Sequence, residues 1–142
     1  MNEAAKRLDH DLVEIAASRL APPLLTYLGG REWRLEDAYT YRDGATAITV
    51  PAGFTFDLSS VPRVFWSLIA PFELSIVAPL IHDFLYRHGG DAPGAIVPPR
   101  TYTRAQADRL FLRIMETEGV ARWRRVAAYA AVRAFGGGSW RT

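Results

Sequence analysis

The sequence predicts a single α+β domain that is mostly helical. Hydrophobic residues make up 49% of the chain and charged residues 23%, as in globular proteins. Its 142 residues suffice for one hydrophobic core and are too few for two comfortable domains. Four segments have apolar residues at helical spacing, and one has the turn signal of a β-hairpin. We therefore expect an amphipathic helix over residues 1–22 and one globular domain over residues 23–142.

The N-terminal helix is predicted by Leu8, Leu12, Ile15 and Leu20, which recur at helical spacing before "APP" ends the pattern. Its apolar face would pack on its own domain, on a second copy of the chain, or on a partner or membrane surface. Acidic residues interleave with basic ones, so this segment does not resemble a secretory signal. No stretch approaches the length of a transmembrane helix, and we expect a soluble protein.

The β-hairpin is predicted within residues 31–50, where "RDGA" separates two segments rich in Tyr, Thr, Val and Ile. Pro51 and Gly53 then lead the chain into a loop. Ser59 or Ser60 is well placed to cap a short helix that has Pro62 in its first turn. This loop lies between the hairpin and the main helices.

Three further helices follow. The first covers residues 73–88 and ends at Gly89 and Gly90. The second runs from residue 104 to about residue 118, with Thr103 as its cap and an apolar stripe along one face. The last, "ARWRRVAAYAAVRAF", would pack through its small residues and end at three glycines.

Two ionisable residues, His82 and Asp83, stand inside the apolar run "IHDFLYRHGG". On a helix, His82 shares a face with Tyr86, while Asp83 points about 100° away. A histidine whose orientation is fixed can act as a general base near neutral pH. Asp83 needs a different role, and a carboxylate near a loop that carries Asp57 and Ser59 suits a calcium ion.

Other kinds of site have less support. The chain has no cysteine, which excludes disulfides, thiolate zinc sites and cysteine nucleophiles. Neither His10 nor His88 shares a helix face with His82, so a zinc site is disfavoured. No G-x-S-x-G motif supports a serine nucleophile. A net charge of +2 does not indicate a dedicated nucleic-acid binder, and the arginines of the last helix suit a solvated face.

Four segments resemble known families: "VPAGFTFDLSSVPRVFW", "HDFLY", "TRAQADRLFLRIMETEGV" and "AVRAFGGG". In this order they resemble the domain of unknown function family 1353 of bacteria and tailed phages, over about residues 31–137. That family name implies no activity. The same segments are similar to the bacterial secreted phospholipase A2 family, with its Asp-containing loop, H-D-F-x-Y-R, D-x-x-F-x-x-x-M and A-V-x-x-F-G.

The phospholipase resemblance implies a pair of antiparallel helices that carry the site. His82 would activate a water molecule, and Asp108 would orient its imidazole. Asp57 and Asp83 would bind calcium, and Tyr86 would hydrogen-bond within the site. The substrate would be a phospholipid and the partner a membrane surface. The chain departs from that family in lacking disulfides and in having "DLSSVP" where a glycine-rich calcium loop is typical.

The alternative is a structural or binding component without catalysis, for instance of a phage tail or another particle. His82, Asp83 and Asp108 would then form a buried polar network that fixes helix packing. The partners would be phage structural proteins or a second copy bound through the N-terminal helix, and the protein would be associated with a virion. A cell-wall hydrolase would need a zinc or cysteine apparatus, for which the sequence gives no support.

Overall fold

The computed structural model describes residues 20–30, 32–57 and 76–142. These residues form six strands, three α-helices and a 3₁₀ turn at Gly136–Ser139. The strands are β1 (Leu25–Gly29), β2 (Glu32–Leu35), β3 (Tyr39–Asp43), β4 (Thr46–Val50), β5 (Thr55–Phe56) and β6 (Ile96–Val97). The helices are α1 (Val77–Arg87), α2 (Arg104–Thr117) and α3 (Arg122–Phe135). The N-terminal helix predicted over residues 1–22 is wrong for residues 20–22, which are not helical, and its remaining residues 1–19 lie outside the described residues, as does the short helix predicted after Ser59.

The strands form two antiparallel sheets, with the orders β1-β2-β5 and β3-β4-β6. Of the described residues, 41% are helical and 22% lie in strands. The prediction of a mostly α fold with one hairpin is therefore wrong, and the fold is α+β with two sheets.

The extra strands escaped prediction because most are too short to show an alternating pattern. β5 and β6 have two residues each, and they exist through pairing with distant segments. Trp33 pairs with Phe56, and Ala47 pairs with Val97. In β1, exposed apolar residues obscure the inward and outward alternation. Long-range pairing of this kind cannot be seen in a local sequence window.

The predicted hairpin is present as β3 and β4. Asp43 pairs with Thr46, which leaves Gly44 and Ala45 as the two-residue turn. Gly44 has a φ of 61°, a conformation that glycine adopts without steric cost. β4 lies between β3 and β6, and its inward-facing Ile48 and Val50 are fully buried in the core.

α1 lies at the centre of the molecule and contacts both sheets and α2. Every residue from Val77 to Tyr86 is buried, so this helix has no solvent-facing side until Arg87. An apolar sequence on all sides suits a central helix. His82 and Asp83 therefore enter the core because the whole helix does.

α2 and α3 complete the helical layer. Thr103 caps α2 with a capping box, in which its hydroxyl accepts from the Gln106 backbone N–H and the Gln106 side chain accepts from the Thr103 N–H. α3 packs through Ala128, Ala131 and Val132, as predicted for a helix with small residues on its inner face.

The described residues before β1, 20–24, form neither helix nor strand and contact the core. Leu20 packs against the core, and the Ala21 carbonyl accepts a 2.5 Å hydrogen bond from the Tyr39 hydroxyl. Within the described part of the chain, no helix is long and apolar enough to cross a membrane.

Candidate active site

α1 and α2 bring His82 and Asp108 together. The two helices run antiparallel. Arg104 of α2 contacts Tyr86 of α1, and one turn later in α2 Asp108 contacts His82, which lies one turn earlier in α1. His82 Nε2 lies 2.7 Å from Asp108 Oδ1, within the predicted hydrogen-bonding range. The two residues are 2% and 0% exposed, so the pair is removed from bulk water. The predicted geometry of this pair is confirmed, and its catalytic role remains a prediction.

Asp108 accepts hydrogen bonds from three side chains. Besides His82, the Tyr86 hydroxyl donates to Oδ1 at 2.6 Å and Arg133 donates to Oδ2 at 2.8 Å. Burial alone would raise the pKa of Asp108, but the hydrogen bonds from His82, Tyr86 and Arg133 outweigh it and lower the pKa. Asp108 is therefore an ionised carboxylate at neutral pH.

His82 is neutral in this setting. Its ring packs between those of Tyr86 and Phe111, with centroid distances of 4.2 and 4.6 Å. Burial lowers its pKa, and the opposing effect of Asp108 does not restore it. Because an ionised Asp108 can only accept, Nε2 carries the imidazole proton and Nδ1 carries the lone pair.

Arg104 joins all three helices at the site. Its Nε donates to the Tyr86 hydroxyl at 3.1 Å. Its NH2 group donates to the Val132 and Arg133 carbonyls at 2.6 and 2.8 Å, in the last turn of α3. The Val132 carbonyl also accepts from the Gly136 N–H at the C-cap, so the guanidinium adds a second donor there and supplies a donor to the Arg133 carbonyl in the last turn.

The C-terminal tail packs against Tyr86 in the last turn of α1. The Trp140 ring meets the Tyr86 ring edge to face, with centroids 5.1 Å apart, and the Arg141 N–H donates to the Tyr86 carbonyl at 3.0 Å. A Cβ on Gly89 would lie 2.3 Å from the Arg141 carbonyl oxygen, so this close approach requires glycine. The tail thus helps to fix the ring that hydrogen-bonds Asp108.

Asp83 and Asp57 are also brought together, as predicted. The Asp57 N–H, directly after β5, donates to Asp83 Oδ2 at 2.9 Å. Burial raises the pKa of Asp83 to about 8, and the charge of the nearby Asp57 carboxylate adds to this effect. The Asp57 N–H and Arg87 oppose the rise without cancelling it. Asp83 is a buried acid that a cation would help to ionise.

The donor chemistry of Asp57 and Asp83 fits a hard cation, since both are carboxylates beside a loop. Calcium takes about six to eight oxygen ligands, so two carboxylates cannot complete its shell. Among the described residues, no group of three His, Cys, Asp or Glu side chains is arranged to hold a metal ion. Further ligands would have to come from backbone carbonyls, from water or from the rest of the chain.

Sequence reasoning missed the two arginines of this network. The interpretation of the α3 arginines as a solvated face is wrong for Arg133, which binds Asp108, and for Arg125, which donates to the Val120 carbonyl. Arg104 was not singled out either. The arginine positions alone do not show these contacts, because their partners lie 5 to 29 residues away along the chain.

Comparison with known proteins places the chain in a family. The family model described as protein of unknown function (DUF1353) matches residues 33–132. The chain belongs to the DUF1353 family. The matched region of this DUF1353 protein contains Asp57, His82, Asp83, Tyr86 and Asp108, whereas Arg133 and the C-terminal tail follow it. No curated protein and no solved structure gives a significant match to the chain.

Proposed function

We propose that this DUF1353 protein is a hydrolase of lipid esters, similar to phospholipase A2, in which His82 is the general base. The observation that carries the proposal is the buried hydrogen bond of 2.7 Å between His82 Nε2 and the ionised Asp108. A base needs a fixed tautomer, a fixed ring orientation and a pKa that leaves it unprotonated at working pH. His82 meets all of these requirements.

The proposed mechanism assigns one step to each residue. Asp108 accepts the Nε2 hydrogen bond and orients the ring. His82 takes a proton from a water molecule as the water attacks the ester carbonyl, and it returns this proton to the leaving alcohol oxygen as the acyl C–O bond breaks. The positive charge that develops on the imidazole is stabilised by the adjacent Asp108 carboxylate. Tyr86 and Arg133 also donate to Asp108, one to each carboxylate oxygen, and hold its orientation. No covalent intermediate is needed.

Calcium is the proposed cofactor, held by Asp83 and Asp57. When bound, it would polarise the ester carbonyl and neutralise the negative charge that develops on its oxygen. The chain's own contribution is to hold Asp83 against the Asp57 N–H, one residue along α1 from His82. Asp83 must lose its proton to bind, which its raised pKa makes dependent on the cation.

The choice of a phospholipid as substrate is supported by the sequence "HDFLYR", which matches the H-D-F-x-Y-R of bacterial phospholipase A2. In this chain the spacing of four between His82 and Tyr86 places both side chains on Asp108, and Asp83 hydrogen-bonds the Asp57 N–H. The motif thus holds the proposed base and the proposed cation ligand in defined positions.

The test is release of fatty acid from phospholipid vesicles by the purified full chain, with calcium varied from chelated to millimolar levels. We expect release that rises with calcium and stops when a chelator is added. Vesicles of different head group and charge should be compared, since the site does not define the head group. Absence of release under every calcium concentration and lipid composition would refute the proposal.

The calcium site has its own test, thermal unfolding of the full chain with and without calcium. Binding to the folded state alone raises the melting temperature by mass action. We expect this rise in the unmodified chain and its loss in Asp83→Asn. Asp91→Asn is the matched control, because Asp91 is exposed. A rise that persists in Asp83→Asn would place the calcium elsewhere.

The second candidate is a structural component of a phage tail or another particle. It is favoured by the completeness of the network, since Arg104 and Arg133 link all three helices and no buried side-chain N or O atom of the described residues lacks a partner. In that case the network would fix helix packing, and loss of His82 would cost stability without removing an activity.

A further inference from the structure

The outer face of α3 is apolar and exposed. Trp123, Val126, Ala130 and Ala134 follow one another at helical spacing, opposite the face that packs on α2. Trp123 is 62% exposed and Val126 is 48% exposed. Large apolar side chains that line up on one exposed helix face are typical of an interaction surface. We refer to these four residues as the α3 stripe.

The charged side chains of α3 itself are all positive, although Arg125 and Arg133 pair with Glu116 and Asp108 of α2. α3 contains four arginines and no acidic residue. Arg122 and Arg124 flank Trp123 in the first turn, and the Arg124 guanidinium lies 5.1 Å from the Trp123 ring centroid. A helix with tryptophan and aliphatic residues on one face and arginine at its edges is typical of helices that lie in the interface of anionic membranes.

We propose that the α3 stripe is the surface by which this protein binds an anionic lipid membrane. Trp123 and Val126 enter the boundary between head groups and acyl chains, while Arg122 and Arg124 contact the phosphates. The choice of a lipid partner rests on the proposed function. The position of the surface rests on the exposure and charge of α3.

Two other occupants are less compatible with these residues. A symmetric dimer through the α3 stripe would bring like-charged arginines of two copies close together, at a cost in free energy. A nucleic acid would engage the arginines and leave the apolar stripe exposed. An anionic membrane satisfies both features at once.

α3 also supports the candidate site, which links binding to catalysis. Arg133 extends from α3 to Asp108, and Arg104 binds the last-turn carbonyls of the same helix. A membrane bound at α3 would therefore contact the element that holds the orienting carboxylate. This arrangement suits an enzyme whose substrate lies in the membrane.

The test is sedimentation of the full chain with vesicles of ether-linked phospholipids, which have no ester to hydrolyse. Vesicles of phosphatidylcholine alone are compared with vesicles made of equal amounts of phosphatidylcholine and phosphatidylglycerol. We expect binding to the anionic vesicles, weakened by added salt, and little binding to phosphatidylcholine. Arg122→Glu should weaken binding about fivefold or more, and Trp123→Ala about tenfold.

Matched controls come from exposed residues on the β3-β4-β6 sheet. Val97 is 56% exposed, so Val97→Asn is paired with Val126→Asn. Arg42 is exposed on β3, so Arg42→Glu is paired with Arg122→Glu. We expect the α3 variants to lose binding and the sheet variants to retain it. Equal effects of both sets would refute the proposed surface, as would binding that is indifferent to lipid charge.

Two further outcomes separate this inference from the proposed function. Anionic binding that requires α3, without fatty-acid release from ester lipids, would support the surface and refute the enzyme. Fatty-acid release from ester lipids, with vesicle binding unaffected by Trp123→Ala, would support the enzyme and refute the α3 surface. A dimer in analytical ultracentrifugation that Trp123→Ala converts to monomer would assign the α3 stripe to a second copy and overturn the inference.

Discussion

The proposed role of His82 depends on two opposing effects on its pKa, burial and the nearby Asp108. Burial disfavours the imidazolium more than the nearby Asp108 favours it, so the ring stays neutral and Asp108 determines which nitrogen is protonated. We expect the proton on Nε2 and the lone pair on Nδ1 at neutral pH. Imidazole ¹⁵N NMR of the labelled chain measures this directly, with His82→Asn to assign the signal. A His82 protonated on Nδ1 would leave no base of the required geometry.

Asp108 should make stability depend on pH. Its folded-state pKa is lowered from 3.8, so its stabilising contribution is complete above that value and is lost as pH falls through the lower folded-state pKa. We expect Asp108→Asn to lose about 1 to 3 kcal/mol of unfolding free energy at pH 7, since its amide places a donor opposite Arg133. Urea titrations from pH 7 to pH 2.5 should show this difference shrinking with acid. A difference independent of pH would contradict an ionised Asp108.

At the residue scale, the sequence predicts the residues of the site but not the arginines that bind them. The interval of four between His82 and Tyr86 places both on one helix face, and both bind Asp108. The roles of Arg104 and Arg133 could not be predicted in this way. Their side chains cross between helices, and the same arginines on a solvated face would have the same sequence.

At the element scale, the turn after α1 depends on glycine. Gly90 has a φ of 78°, and a Cβ there would lie 1.8 Å from the Tyr102 carbonyl oxygen. Gly94 has a similar φ of 81°, but no described atom lies within 4 Å of its Cβ position. Gly94→Ala should cost about 1 kcal/mol from backbone strain, and Gly90→Ala should cost about 1 to 3 kcal/mol more from the clash. Equal melting temperatures for the two variants would show that this turn is not tightly packed.

Long helices with clear caps were predictable because their signals are local. α2 begins at Arg104 after Thr103, and α3 ends where the glycines begin, as the sequence indicates. β5 and β6 were not predictable, because a strand of two residues is defined by its partner. This is why the helical part of the fold was anticipated and the two sheets were not.

At the scale of the whole molecule, the contacts of the chain with its core begin before the family match. Leu20 and Ala21 contact the core, whereas the family match begins at residue 33. We expect deletion of residues 1–19 to leave a folded domain with altered assembly. Deletion of residues 1–22 should lower stability by a further amount of about 1 kcal/mol or more, since it also removes the Leu20 packing and the Tyr39 hydrogen bond. Thermal unfolding and sedimentation velocity measure both effects, and an unfolded 20–142 fragment would contradict this boundary.

The measurement that tests the central claim most directly is the rate of fatty-acid release by His82→Asn, made beside its melting temperature. His88→Asn is the matched control, since His88 follows α1 and lies outside the Asp108 network. Asparagine can hydrogen-bond but cannot accept a proton near neutral pH, so His82→Asn should lose release by about a hundredfold or more while remaining folded. The control should retain its activity. An active His82→Asn, or an inactive wild-type chain with a His82→Asn variant that is only destabilised, would contradict a catalytic His82 and favour a structural network.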